Sequence, residues 1–145
     1  LTYLYKFSSA VQLTNLGGKM TFHRFSQIAA LSGFISVLLG AFGAHALKVH
    51  FSQYQLDIWQ TAVFYQFIHT LLLLFVSQQH TLIDHYQTMM KVTCWCLTLG
   101  ITLFCGSLYL LALSSVKTLG MLTPIGGFLF LSAWLCLFLV FIKDK

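Results

Sequence analysis

Glutamate is absent from this chain, proline occurs once, and the acids amount to three aspartates, Asp57, Asp84 and Asp144. So few carboxylates exclude a good deal. None falls inside a long apolar run, so no carboxylate can relay protons across a bilayer. The chain also holds no HExxH, no glycine-rich phosphate loop and no nucleophile placed beside a base. Nothing in it marks an enzyme, and no cofactor is expected.

Charge of either sign is scarce, at 8% of residues, against about 25% in ordinary soluble domains. Hydrophobic residues make up 58% of the chain, and the mean hydropathy is +0.82. Such a chain cannot cover a soluble surface with polar groups, so it needs lipid around it. The net charge of +5 invites a nucleic-acid reading, but the basic residues form no patch with interleaved aromatics. Lys6, Lys19, Arg24, Lys48, Lys91, Lys117, Lys143 and Lys145 punctuate apolar runs instead, as basic residues do in membrane proteins. No nucleic-acid partner is expected. Cys94, Cys96, Cys105 and Cys136 all lie in apolar stretches. Cys94 and Cys96 are too close for a CxxC motif, and all four are expected as buried free thiols.

What is present is a set of long uncharged runs. Residues 25–47, 58–83, 92–116 and 118–142 contain no Lys, Arg, Asp or Glu, and each exceeds the ~20 residues a spanning helix needs. They predict an all-α protein, an integral membrane four-helix transmembrane bundle, with helices near 25–46, 58–78, 91–113 and 124–142. Lys6, Lys19, Arg24, Lys91, Lys143 and Lys145 fall on the side of the termini, and Lys48 and Lys117 on the other. The positive-inside rule then puts both termini in the cytoplasm. Residues 1–19 precede Met20 and are read as an N-terminal extension, leaving 20–145 as a single four-span domain. Ala44-His45-Ala46 after an apolar run mimics a signal-peptide cleavage site. The run is too long for one, however, and carries a packing pattern that a discarded peptide would not need.

That pattern is Ser26, Ala29, Gly33, Ser36, Gly40 and Gly43, with spacings alternating three and four. It is a heptad seam of small residues, the kind of surface on which helices approach closely in lipid. The third span offers a line at spacing seven, Thr93, Gly100, Ser107 and Ser114. The second span is two-faced. Ala62, Tyr65, Gln66, His69 and Thr70 share one arc and should face the bundle, while Phe64, Phe67, Ile68, Leu71, Leu74 and Phe75 should face lipid. Thr123-Pro124 reads as the N-cap and first residue of the fourth span. Trp59 is expected as an interface anchor.

Several strings together resemble one family. They are Gly40-Ala41-Phe42-Gly43-Ala44-His45, then Trp59-Gln60-Thr61-Ala62-Val63-Phe64-Tyr65-Gln66 with His69 beyond. Next come Leu103-Phe104-Cys105-Gly106-Ser107-Leu108-Tyr109 and Leu122-Thr123-Pro124-Ile125-Gly126-Gly127, followed by Trp134. The combination is similar to the small bacterial inner-membrane proteins of domain of unknown function 423, related to the eukaryotic transmembrane protein 256. The resemblance runs from about Met20 to the C-terminus, with Cys105 where the family has Ser. It implies four spans and an inner (plasma) membrane location, and no agreed activity.

Joining topology to motif places His45, Tyr65, Gln66, His69, Ser107, Tyr109, Thr123, Gly126 and Gly127 in the extracytoplasmic half, as a candidate pocket or polar knot. His69 has two readings. An ionisable residue inside a membrane is a functional candidate; a neutral, hydrogen-bonded His simply holds helices together. Haem or metal ligation by His45 and His69 would need both in one cavity. The rise per residue separates their depths by roughly 10–15 Å, and no metal is expected. Two function classes follow. One is a non-enzymatic structural or accessory membrane component, its partners the lipid bilayer and a homo-oligomeric or other membrane-protein mate. The other is a small-molecule or lipid binder or transporter. A cavity of a few hundred Å³ would favour the second, and an exposed small-residue seam the first.

Overall fold

The computed structural model describes the backbone of residues 2–79, 86–114 and 116–143, with side chains from residue 21 onward except Lys117. These residues form five helices: α1 (Thr2–His45), α2 (Gln53–Gln78), α3 (Gln87–Gly100), α4 (Gly106–Ser114) and α5 (Thr123–Lys143). A π-helical turn, Ile101–Cys105, joins α3 to α4, and short 3₁₀ turns, Leu47–Val49 and Lys117–Met121, precede α2 and α5. Four segments are long and apolar enough to cross a membrane: Thr21–Val49, Gln53–Gln78, Gln87–Ser114 and Thr118–Lys143. The protein is an all-α four-span membrane bundle.

The boundaries depart from expectation in three places. α1 begins at Thr2, ahead of the span expected near 25, and its membrane-crossing part is within Thr21–Val49. α2 begins at Gln53 rather than near 58 because Ser52 starts it with a capping box. The Ser52 hydroxyl accepts from the Gln55 amide at 3.3 Å, and the Gln55 side chain accepts from the Ser52 amide at 3.0 Å. Asp57 is thereby drawn into the helix, where Gln53 Nε2 donates to it at 2.7 Å. The third span is broken into α3 and α4 by the π turn. Asp84 and Asp144 lie outside the described residues.

The seam of α1 packs on α2, and the two helices run antiparallel in step. Ser26 meets Ser77 (Oγ···Oγ 2.9 Å), Gly33 lies against Thr70, and Gly40 against Val63. Each step of seven along α1 is matched by a step of seven back along α2. Ser36 Oγ adds a bond to the Val63 carbonyl at 3.3 Å. At Gly43 the approach is closest: a Cβ there would lie 2.6 Å from the Trp59 ring. Trp59 is only 3% exposed, and its Nε1 donates to the Leu39 carbonyl at 2.9 Å. It is therefore a wedge between α1 and α2 and not the interface anchor expected. Trp95 and Trp134 are the exposed tryptophans.

α2 presents the faces expected of it. Ala62, Gln66, His69 and Thr70 are buried, and Phe64, Phe67, Ile68, Leu71, Leu74 and Phe75 are exposed toward lipid, with Tyr65 at the edge. The third span packs between α2 and α5. Its small-residue line serves α5, not the seam of α1. Gly100 faces Phe130, and Ser107 bonds to Thr123 at 2.8 Å. Thr123 thus spends its hydroxyl on the neighbouring span rather than on capping its own helix. The spans follow one another as a folded ribbon, in which α1 and α5 share no substantial interface among the described residues.

Candidate functional site: an aromatic groove between α2 and α5

Tyr65 and His69 stand one turn apart on α2, so their side chains lie on one face. The His69 Nδ1–H donates to the Tyr65 carbonyl at 2.8 Å. The His69 ring stacks on Phe130 of α5, with centroids 3.6 Å apart and planes 14° off parallel. Tyr65 stacks on Phe104 at 4.7 Å and 28°, and lies 16° from the plane of His69.

Phe104 reaches this position from the π turn, a wide helical turn that recurs at functional sites. Its backbone lies against Gly126, where a Cβ would stand 2.8 Å from Phe104 Cα. No side chain larger than hydrogen fits there without moving α5 away. Gly127 follows on the groove side, with the Phe104 ring 3.8 Å from where its Cβ would be.

Between these helices is a partly open groove of ≈ 490 Å³, walled by Tyr65, His69, Phe104, Phe130, Leu131 and Trp134. Two polar atoms belong to its wall. The Tyr65 hydroxyl makes no hydrogen bond among the described residues. His69 is 6% exposed, and its one hydrogen bond uses Nδ1. No fully buried side-chain nitrogen or oxygen among the described residues lacks a partner, so Nε2 is not fully enclosed, and the groove is the cavity that His69 lines. No Lys, Arg, Asp or Glu lines it.

Farther round the same buried face of α2, toward α1, the polar groups bond to one another. Tyr109 Oη donates to Gln66 Oε1 at 2.8 Å, and Gln66 Nε2 donates to the Ser32 carbonyl at 3.1 Å. Ser32 Oγ and Thr70 Oγ1 are 2.7 Å apart. This chain ties the first three spans together, beside a smaller cavity of ≈ 230 Å³ that Ser32 and Gln66 help to line. A second cavity of ≈ 450 Å³ lies at the loop end of α1 and α2, beside Gly43, Ala44, Trp59, Val63, Phe64 and Phe67.

The nine residues expected as one pocket or knot are therefore distributed. Tyr65, His69 and Gly127 line the groove, and Gly126 sets its width through Phe104. Gln66 and Tyr109 form the polar tie. Ser107 and Thr123 pin the start of α5 to the third span. His45 stands apart, exposed at the end of α1, so it shares no cavity with His69. No cluster of metal-ligating side chains occurs among the described residues. Sequence reasoning passed over Phe104, Phe130, Leu131, Trp134 and Ser32 as site residues. Phe130 is one of 14 phenylalanines, and no spacing rule separates it from its lipid-facing neighbours.

Comparison with known proteins gives a consistent result. Residues 39–127 match the family described as "Protein of unknown function (DUF423)". A UPF0382 membrane protein of Staphylococcus haemolyticus is 41% identical over 112 residues, 76% of this chain and 88% of its own. The UPF0382 membrane protein YwdK of Bacillus subtilis is 36% identical over 118 residues, 80% of this chain and 94% of its own. The UPF0382 inner membrane protein YgdD of Escherichia coli K12 is 42% identical over 109 residues, 73% of this chain and 79% of its own. No solved structure matches the chain.

Proposed function

This chain belongs to the DUF423 family of membrane proteins, and from that premise we propose that it is a non-enzymatic binder. It takes a small apolar molecule from the bilayer into the groove between α2 and α5. One observation carries the reading: Tyr65 and His69, whose Oη and Nε2 have no partner among the described residues, line one aromatic groove of ≈ 490 Å³. That volume is in the range of small-molecule sites, roughly 300–1,000 Å³. Polar groups left unpaired in hydrocarbon are costly, so a ligand that satisfies them gains what the empty protein lacks. The rival reading, a structural or accessory component docking through the small-residue seam of α1, loses its surface, because that seam is spent on α2.

Native mass spectrometry of the protein in lipid discs tests this. A defined adduct, lost in Tyr65→Phe and His69→Ala, is the expected result. Clean apo protein, alone or as a dimer, would return the accessory reading to the front.

The same reading places both termini in the cytoplasm. Arg24, Lys91 and Lys143 lie at the end of the bundle that holds the termini, and Lys48 at the loop end. That asymmetry is of the positive-inside kind. A cysteine at position 48 in a cysteine-free background should react with an impermeant maleimide in intact cells, and one at 143 only after lysis.

A further inference from the structure

We infer that the molecule held in this groove is a lipid-soluble phenol or hydroquinone, a flat ring whose hydroxyl donates to His69 Nε2. The inference rests on the groove being a binding site and goes on to name its ligand by what the walls require.

The first requirement is a donor. A carbonyl can only accept, so the bond to the Tyr65 carbonyl fixes the proton of His69 on Nδ1. With no carboxylate in the groove to balance a charge, the imidazole stays neutral and Nε2 is an acceptor. An acyl chain, an ester or a ketone offers nothing to it. A ligand O–H or N–H does.

The second requirement is a flat ring. The planes of Tyr65 and His69 differ by 16°, those of His69 and Phe130 by 14°, and those of Tyr65 and Phe130 by 30°. These rings already stack on one another, with centroids 3.6 Å apart for His69 and Phe130 and 5.7 Å for Tyr65 and His69, so a planar ligand packs against the open edges and outer faces of the stack and not between its rings. Trp134 at the lipid side adds an edge.

The third requirement is neutrality. The groove has no Lys or Arg, so a phosphate or carboxylate headgroup would lie there uncompensated. An uncharged phenolic ring meets all three conditions, with its tail left in the lipid beside Leu131 and Trp134, which are 66% and 49% exposed. The Tyr65 hydroxyl, able both to donate and to accept, serves the second oxygen of a hydroquinone.

The test uses the full chain in lipid discs and two probes, decylhydroquinone kept reduced under argon and its dimethyl ether. The two share a ring and tail, but only the first can donate. Binding is read from quenching of tryptophan emission, and Trp134→Phe should lose most of that signal. We expect the hydroquinone to bind about tenfold more tightly than the ether, as the loss of one buried hydrogen bond implies. His69→Phe, which keeps a ring against Phe130, should erase that ratio. Because the ether alters the ligand and not the protein, the comparison survives a variant that does not fold. Equal binding of both probes, sensitive to Tyr65→Phe, would overturn the ligand class and leave the groove as a binding site. Absence of binding by either probe, with no native adduct, would overturn both. A native adduct without probe binding would overturn the ligand class alone.

Discussion

At the scale of the residue, Gln66 shows how much a single amide can organise in lipid. It accepts from Tyr109 and donates to Ser32, so three spans meet at one side chain. Gln66→Leu strands the Tyr109 hydroxyl as well as deleting two bonds. We expect a loss of about 0.5–1.5 kcal/mol, the range measured for interhelical bonds in membranes. Adding Tyr109→Phe should restore part of it, since the second change removes the stranded donor. Unfolding of the single and double variants in mixed micelles measures both. The need of Gln66 for a bundle partner was legible in the sequence, because an unpaired amide in hydrocarbon is costly. The identity of the partner was not, since Tyr109 and Ser32 lie on other spans and no local spacing points to them. Trp59 was misread for a related reason. Its place at the end of α2 suits an anchor, and only the absence of a Cβ at Gly43 makes room to bury it.

At the scale of the element, the π turn and the start of α5 form one device. Ile101–Cys105 contains no proline and no glycine, so nothing in its composition announces a wide turn. It is visible only once Phe104 is found against Gly126. Adjacent glycines here give a sharp test. Gly126→Ala would set its methyl 2.8 Å from Phe104 Cα, whereas Gly127→Ala would find Phe104 no closer than 3.8 Å. The first must push α5 off the third span, at a cost of about 1–3 kcal/mol, and should abolish adducts in the groove. The second should leave stability within about 0.5 kcal/mol and leave adducts in place. Thermal unfolding in lipid discs, followed by native mass spectrometry, distinguishes them. Gly126 and Gly127 were both legible as candidate site residues. Which of the two mattered was not, because that depends on the depth of α5 against a turn the sequence does not mark.

At the scale of the whole molecule, the four spans were plain from the charge-free runs, and the lipid-facing side of α2 from its periodicity. The order of contact was not. A heptad seam states that a helix packs closely without stating on what, and the line of small residues in the third span looked like a match for α1 while serving α5. The antiparallel register of α1 and α2 can be checked directly. Ser26→Cys with Ser77→Cys, in a background lacking the native cysteines, replaces hydroxyls 2.9 Å apart and should cross-link on mild oxidation. Ser26→Cys paired with a cysteine at Val63 should not, since Val63 lies against Gly40 and Ser36 instead.

The pairing of α1 with α2 also bears on how the protein is made. Ser26, Ser32, Ser36 and Trp59 all find partners within these first two spans. The first hairpin emerging from the ribosome can thus enter the bilayer with these four side chains already matched, before the second half is translated. Two groups of α2 pair only with the third span: Gln66 Oε1 accepts from Tyr109, and Gln55 Nε2 donates to the Ala112 carbonyl at 2.8 Å. Those two side chains are the points on the first hairpin that the later hairpin completes, so the order in which donors and acceptors arrive favours docking of the second half on that side of α2.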